Sequence, residues 1–466
     1  MKERSRELLI LIVGDISVFI AALWLTLLVR YLEWPSVERI NLHLLPFLSL
    51  SLLWIFVFYI AGLYDKQTVF LKGLLSARIL NTQLANIIIA GFLFVIIPFG
   101  ITPKTNLVIY LFVSTALMAW WRLHFYNYFS PKTRHQAILL ASIPEAVELV
   151  DEVNNNDRYN YSFVRIVDED TATATENFES KLLELINSEN VDMVVVDPKG
   201  ENTRKVLPAI FDMAFLNLDV IFLDFHRVYE DTFDKVALSA VDYDWFIKNV
   251  SQQKSIVYDF SKRIFDIVTG IFLGTFFLLL LPFVAMALKI EDRQAPIFIR
   301  QDRLGKFNRP VRVWKLRTMS INDHASATWT KEDKAKGNKV TQVGGFLRKT
   351  SLDEYPQIWN IIKGEMSLIG PRNDIVGLGA RLAEEIPYYN LRNFVRPGIS
   401  GWAQTHQYYM GDNISPQSLE ESRERLSYDL FYVKHRSLLL DLDIALRTIK
   451  ILISRFSVKI NWKRKS

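Results

Sequence analysis

Four runs of apolar residues, 8–28, 44–64, 79–99 and 107–128, each approach the roughly 20 residues that an α-helix needs to cross the hydrocarbon core of a bilayer. Lipid offers the backbone no hydrogen-bond partner, so a helix is the form such runs must take there. They predict a four-helix transmembrane module over residues 1–130. Lys2, Arg4 and Arg6 precede the first run, Lys66, Lys72 and Arg78 lie between the second and third, and Lys132 and Arg134 follow the fourth. The opposite loops hold only Arg30, Arg39 and Lys104, so the positive-inside rule puts both ends of the module in the cytoplasm. The first run is too long for a cleaved signal and lacks a clear small-residue cleavage site. Asp15 sits within it, and a carboxylate at that depth is expected to find its partner inside the bundle.

From His135 to about residue 250 the pattern changes to short apolar runs alternating with helical ones: AILLAS, PEAVELVDEV, FVRIVD, KLLELINSE, VDMVVVD, VLPAIFDMAFL, DVIFLD. That alternation predicts a small Rossmann-like α/β domain with a mostly parallel sheet. A dinucleotide site would need G-x-G-x-x-G after the first strand, and the turn there is Ala141-Ser142-Ile143-Pro144. The expectation is a scaffold or regulatory domain.

A fifth apolar run, 264–290, follows Lys262-Arg263 and contains Pro282. A full span would carry the rest of the chain to the outer face. A helix broken at Pro282, which removes an amide and clashes one turn back, would enter and leave on one side, provided that protein or water satisfies the freed backbone groups. Both topologies fit the sequence.

Residues 291–466 are polar enough for a membrane-associated domain and place basic residues beside aromatic ones, as in VRVWKLRTM and NFVRPGISGWAQ. With 55 basic and 50 acidic residues the net charge is +5, too little for a global nucleic-acid-binding field. The absence of cysteine excludes disulfides, thiolate zinc sites and cysteine nucleophiles. Residues 322–339 read as a polar mobile loop, and the amphipathic C-terminal segment with its basic tag has the composition of an interfacial helix.

Within TSLDEYPQIWNIIKGEMSLIGPRN, Ser351-Leu352-Asp353-Glu354 fits the S/T-x-x-E capping box. Pro356, however, would sit where its ring meets the carbonyl of Leu352. A helix starting near Pro356 instead leaves Asp353 and Glu354 at its mouth, where the helix dipole favours anions and the amides can receive a phosphate.

KRIFD opening the Pro-containing run, IRQDRLG, WKLRTM, FLRKTSLDEYPQIWNIIKGEMSLIGPR, RPGISGWAQ and YDLFYVKHRSLLLDLDI occur in this order over about residues 256–455. Together they resemble the bacterial sugar transferases, monotopic polyprenyl-phosphate glycosyl-1-phosphate transferases of the large form. The resemblance implies a membrane α plus α/β architecture: the four-helix module, a degenerate Rossmann-like (CoA-binding-like) domain at 135–250, and an α/β-type catalytic domain at 256–466. In the last, Lys262, Arg263, Asp266 and Pro282 would belong to a re-entrant helix, 264–290. It implies transfer of sugar-1-phosphate from a nucleoside diphosphate sugar, commonly a UDP-sugar, to undecaprenyl phosphate on the cytoplasmic face of a bacterial inner membrane. That is the first membrane step of exopolysaccharide, capsule or O-antigen synthesis. Asp353 would attack the sugar-bearing phosphorus to give a phosphoaspartyl intermediate, Glu354 with Asp353 would hold Mg²⁺, and Lys315, Arg317, Arg348, Arg372 and Arg396 would handle phosphate. Asp429 and Asp441 match further acidic positions, and a homodimer is implied.

Two departures stand out. The family commonly has Pro-Arg-Pro where this chain has Pro371-Arg372-Asn373, and threonine where Ser400 stands. Sugar selection is expected at residues 411–419. A membrane-anchored nucleotide-sugar dehydratase or epimerase is the rival enzyme, and it lacks its dinucleotide fingerprint here. A non-catalytic scaffold for polysaccharide assembly is the third reading, which loss of Asp353 or the arginines would have supported.

Overall fold

The computed structural model describes residues 2–61, 63–64, single positions between 79 and 93, 104–125, 134–141, 143–156, 159–167, 178–200, 207–208, 220–251, 256–319, 340–407, 416 and 418–457. Most of the third apolar run, the loop at 322–339 and residues 411–415 lie outside these. The chain forms two compact units, Met1–Phe233 and Asp234–Ser466. Among the described residues, four helices contain segments long and apolar enough to cross a membrane: Ile10–Tyr31, Val37–Ile60, Thr105–Leu123 and Ile256–Glu291.

In the first unit, α1 (Lys2–Tyr31), α2 (Val37–Ile60) and α3 (Lys104–Trp120) pack around Phe19, Trp54, Phe58 and Tyr110. Asp15 is fully buried among them. It accepts from Tyr64 Oη at 2.7 Å, Trp121 Nε1 at 3.1 Å and Arg122 Nε at 2.9 Å, and is ion-paired with that guanidinium. The intramembrane charge is therefore neutralised within the bundle, as expected. After it come β1 (His135–Leu140), α4 (Pro144–Asn154), β2 (Tyr161–Val167), α5 (Phe178–Ser188), β3 (Val191–Val196), β4 (Ile221–Asp224) and α6 (Phe225–Phe233). The strands form one parallel sheet in the order β2-β1-β3-β4. The α/β reading of this stretch agrees with the sheet, but its end does not. Val236, Val241, Trp245 and Val250 are buried with Trp402, Leu430 and Ile444, so these residues, assigned above to the α/β domain, belong to the core of the second unit.

The second unit opens with α7 (Ile256–Glu291), a helix of 36 residues in which Pro282 is internal. The expected break at Pro282 is thus not an end of the helix: residues on both sides remain helical, because losing one amide bond leaves the flanking ladder intact. Both parts of α7 are bonded to the same unit. Near its start Lys262 Nζ meets Asp441 Oδ2 at 2.8 Å, Arg263 donates to the carbonyls of Ile361 and Ile362 at 2.6 Å, and Asp266 Oδ1 accepts from Ser367 Oγ and the Leu368 amide at 3.0 Å. Near its end Arg317 donates to the Leu288 carbonyl at 3.0 Å and to Asp292 Oδ2 at 3.1 Å, and Glu291 Oε1 accepts from the Val343 amide at 3.1 Å. The outer face, including Phe272, Phe276, Leu279 and Phe283, is exposed.

The rest is mostly helical, with two small two-stranded sheets among the described residues in place of an extended α/β sheet. β5 (Phe298–Leu304) and β6 (Pro310–Leu316) form an antiparallel hairpin, followed by α8 (Gln342–Thr350), a 3₁₀ segment Leu352–Gln357 and α9 (Ile358–Lys363). β7 (Ser367–Ile369) pairs in parallel with β8 (Gly398–Ser400), α10 (Val376–Glu385) lies between them in sequence, and α11 (Trp402–His406), α12 (Leu419–His435) and α13 (Leu438–Ser457) complete the unit.

The turn of α8 is set by adjacent glycines in opposite situations. A Cβ on Gly344 would lie 2.0 Å from the Thr318 carbonyl oxygen, whereas one on Gly345 meets nothing within 4 Å. Gly345→Ala should therefore stabilise the protein by about 0.5–1 kcal/mol through helix propensity. Gly344→Ala should lower the thermal unfolding midpoint in detergent, because backbone must move. Equal effects of the two substitutions would contradict this packing.

Candidate active site

The hairpin and the 3₁₀ segment bring the acidic pair against a set of cations. Period-2 alternation puts Ile299, Gln301 and Arg303 of β5 on the same face as Lys315 of β6, with Ile299 opposite Lys315. Lys315 Nζ donates to Glu354 Oε1 at 2.9 Å, and Arg372 reaches the same carboxylate through Nη2 to Oε1 at 2.6 Å and Nη1 to Oε2 at 3.3 Å. Burial pushes the Glu354 carboxyl up, but the charges of Arg372 and Lys315 outweigh it and hold the group well below the usual carboxylate range. Lys315 is itself drawn below the lysine range by burial. Beside this clamped carboxylate, Asp353 lines a cavity of about 1200 Å³ together with Arg303, Lys315, Arg348 and Arg372. Burial first, and the neighbouring Glu354 charge second, raise the Asp353 carboxyl above its ordinary value.

The capping box does not form, whereas an α-helix does begin close to Pro356, with the acidic pair ahead of it in a 3₁₀ turn. Ser351 has φ 57° and caps the end of α8 through its amide, with no side-chain cap on the segment that follows. Asp353 and Glu354 lie inside the 3₁₀ segment, and the α-helix begins only at Ile358. Pro356 accounts for this: without an amide it suits the tight first turns and resists a regular α-helical start. Cationic side chains, and not a helix dipole, are what surround the two carboxylates.

The remaining candidates divide. Arg348 Nε donates to Thr318 Oγ1 at 2.9 Å and lines the cavity. Arg317 also borders it, yet its guanidinium is turned to Leu288 and Asp292 at the end of α7, where it acts as a clamp on that helix. Arg396 is not among the lining residues. Asp429 is buried against Arg392, with Nη2 to Oδ2 at 2.7 Å, and Asp441 accepts from Tyr258, Lys262 and Tyr432 at 3.0, 2.8 and 2.8 Å. Both acids stand in the protein interior and hold elements together, away from the cavity.

Arg303 is the cation that the sequence reading missed. It lies inside the IRQDRLG stretch, and the hairpin register, Ile299 opposite Lys315, puts it on the face of Lys315. Burial, then the charge of Arg372, bring it down to about 10. It donates to Gln301 Oε1 from Nε and Nη2 at 3.0 and 2.8 Å and to the carbonyl and side-chain oxygens of Asn373 at 2.8 and 3.3 Å. Arg392 Nη2 takes the preceding carbonyl, that of Arg372, at 2.6 Å. Two guanidinium groups therefore fix the backbone at Arg372-Asn373, where the family's second proline is absent. Arg392 is in turn held by Asp374 and Asp429, and Arg425 Nη2 meets Asp374 Oδ1 at 2.8 Å.

Among the described residues no group of three or more His, Cys, Asp or Glu could hold a metal. The adjacent Asp353 and Glu354 nevertheless fit Mg²⁺, which is commonly bound by one or two carboxylates with substrate phosphates and water completing its shell. No bond to Asp353 is seen from the surrounding cations, while Glu354 Oε2 has only the 3.3 Å contact to Arg372.

Glu354→Gln would leave Lys315 and Arg372 facing a neutral amide. Removing one member of a buried ion cluster costs about 3–5 kcal/mol, so the variant should unfold at a clearly lower temperature at pH 7. The folded-state pKa lies below the ordinary 4.5, so this stabilisation is complete above pH 4.5 and is lost only as pH falls through the lower folded value. The wild-type advantage should stay constant from pH 8 to 5 and shrink in stronger acid. A constant difference down to pH 2 would contradict the assignment.

The family model described as bacterial sugar transferase matches residues 257–455, the segment that contains the cavity. An Aeromonas hydrophila UDP-N-acetylgalactosamine-undecaprenyl-phosphate N-acetylgalactosaminephosphotransferase is 36% identical over 205 residues, 44% of this chain and 46% of the relative. A Caulobacter vibrioides UDP-glucose:undecaprenyl-phosphate glucose-1-phosphate transferase is 34% identical over 199 residues, 43% of this chain and 72% of the relative. An undecaprenyl-phosphate glucose phosphotransferase of Komagataeibacter xylinus is 26% identical over 367 residues, 76% of this chain and 66% of the relative. The chain thus spans less than half of the Aeromonas protein and about two thirds or more of the other two. With its second unit matched almost throughout and its cavity formed by the matched residues, this chain belongs to the bacterial sugar transferase family.

Proposed function

We propose that the protein transfers a sugar-1-phosphate from a UDP-sugar to undecaprenyl phosphate at the cytoplasmic face of a bacterial inner membrane. The supporting observation is the mixed lining of the cavity. It includes Arg303, Lys315, Arg348 and Arg372 with Asp353, and apolar side chains, Phe265 and Leu273 from α7 and Ile449 and Leu452 from α13. Such a cavity suits a phosphate carried on a lipid. Guanidinium and ammonium groups around a reacting phosphorus stabilise the charge that shifts there during transfer.

Asp353 is the nucleophile. One of its oxygens forms a bond to the sugar-bearing phosphorus, and the anhydride bond to the second phosphorus breaks, its electron pair leaving with UMP. An oxygen of the lipid phosphate then attacks the same phosphorus, the acyl phosphate bond breaks, and the Asp353 carboxylate returns. Lys315 and Arg372 keep Glu354 ionised and hold it in place, while Arg348 faces the phosphates. Asp353 and Glu354 would hold Mg²⁺, which when bound neutralises diphosphate charge. The dehydratase alternative finds no support in the β1–α4 turn, which carries no glycine fingerprint.

Asp353→Asn should abolish both half-reactions and leave the thermal midpoint nearly unchanged. Wild-type enzyme with Mg²⁺ and the correct UDP-sugar, without lipid acceptor, should release at most about one UMP per site in a burst and gain one sugar phosphate on the peptide holding Asp353. Turnover without burst or mass shift would replace the covalent route by direct displacement.

α7 is read as re-entrant. From Asp266 to Leu288 a helix rises about 33 Å, close to the thickness of the hydrocarbon core, and polar groups of one unit bind it at both places. A straight crossing would drag that unit through lipid. The chain has no cysteine, so Asp259→Cys and Lys306→Cys report topology directly. Neither should react with an impermeant thiol reagent in intact cells, and both should react after permeabilisation. Labelling of Lys306→Cys alone in intact cells would establish a full span.

A further inference from the structure

The cavity has a second polar wall that phosphate chemistry does not use. Ser400 at the end of β8, Gln404 and Thr405 on α11 and Thr448 on α13 line it beside Ile399. These polar side chains are neutral, and the guanidinium of Arg447 on the same helix is engaged by Asp443 at 3.0 Å and His406 at 2.7 Å. Thr448 Oγ1 donates to the Ile444 carbonyl at 2.6 Å, so the 2.6 Å contact between Ser400 and Thr448 has Ser400 as donor. Ser400 Oγ keeps its acceptor lone pairs. Gln404 Nε2 donates to the Ile399 carbonyl at 3.2 Å, while its Oε1 is buried without a hydrogen-bond partner. A buried amide oxygen left without a donor calls for one.

Strand register sets the reach between this wall and the phosphate-handling cations. Ser400 pairs with Ile369, the Gly370 amide donates to the Ser400 carbonyl at 2.8 Å, and Arg372 follows two residues later. Three extended residues span roughly 10 Å at most. A group attached directly to a phosphate at Arg372 is therefore within reach of Ser400.

We propose that Ser400, Gln404 and Thr448 form the subsite that hydrogen-bonds the hydroxyls of the donor's sugar ring, an inference that rests on the sugar-phosphate transfer reading above. Hydroxyls supply the donors that Gln404 Oε1 and Ser400 Oγ lack, and a wall without cations leaves the diphosphate to Arg303, Lys315, Arg348 and Arg372. Ser400 is one methyl group smaller than the threonine that the family favours at this position.

The test uses the full chain in lipid with Mg²⁺ and undecaprenyl phosphate, comparing UDP-glucose, UDP-galactose and UDP-N-acetylgalactosamine as donors. Ser400→Ala, Gln404→Leu and Thr448→Val should raise KM for the preferred donor about tenfold, because a hydroxyl then loses its partner. They should also change the ratio of kcat/KM between the glucose and galactose donors about fivefold. Inhibition by UMP and KM for undecaprenyl phosphate should stay within about twofold, as neither contacts this wall. Ser400→Thr keeps the hydroxyl and adds only the methyl group, so it should fold like wild type and still shift the donor ratio. Weakened UMP inhibition in parallel would put the nucleoside here, a raised KM for the lipid would put the acceptor here, and unchanged donor ratios in all four variants would remove the subsite; each overturns the inference. A wild-type protein that transfers no sugar phosphate from any nucleotide sugar overturns the functional reading itself, and the inference with it.

Discussion

The carboxylate of Glu354 is the point on which the catalytic unit turns. Lys315 from the hairpin and Arg372 from the segment after β7 meet on its two oxygens, so one side chain joins three pieces of chain far apart in sequence. A buried carboxylate between two cations is stable only as a set, since each charge alone would carry a large desolvation penalty. Fixing Glu354 also fixes its neighbour. Asp353, next in the same 3₁₀ segment, is thereby presented to the cavity with its own carboxyl unclaimed by the surrounding cations.

Behind this cluster lies a second one with two basic and two acidic members, Arg392 and Arg425 with Asp374 and Asp429. Burial pushes Asp374 up, but Arg392 and Arg425 bring it down to about 2. Its consequence is felt at the cavity because Arg392 also holds the carbonyl of Arg372. Asn373, in place of the family's second proline, is kept in position by Arg303. A ring that limits φ and a guanidinium that captures two oxygens are different means of ordering the same short backbone.

The long helix α7 shows how a membrane segment can serve a polar site. Its exposed face is apolar, while Lys262, Arg263 and Asp266 at one part and the Leu288 carbonyl with Glu291 at the other are bonded to the unit that holds the cavity. Phe265, Thr269 and Leu273 of the same helix line the cavity. Arg317 contributes by clamping the helix end and so works through position, although the family resemblance implies a phosphate-handling role for it with Lys315. The strand ends at Leu316, so the alternation that would have kept Arg317 on the face of Lys315 no longer governs it.

The sequence by itself determined the described apolar helices and the parallel sheet of the first unit, because these depend on local composition and periodicity, while the acidic pair and most of its cations were legible through the motifs that carry the family resemblance. What only the tertiary structure decided was which charges face the cavity. Arg303 enters it through strand pairing, Arg317, Asp429 and Asp441 leave it for interior partners, and residues 236–250 move to the second unit because Trp245 and Val250 bury against Trp402 and Leu430. The string Ser-Leu-Asp-Glu-Tyr-Pro satisfies both a capping box and a helix mouth, and Pro356 favours the 3₁₀ turn found ahead of Ile358. What the string could not show is that Lys315 and Arg372, 39 and 18 residues away along the chain, hold Glu354. Local pattern fixes which elements form, whereas the partner of a buried charge is set by whichever opposite charge packing brings within about 3 Å.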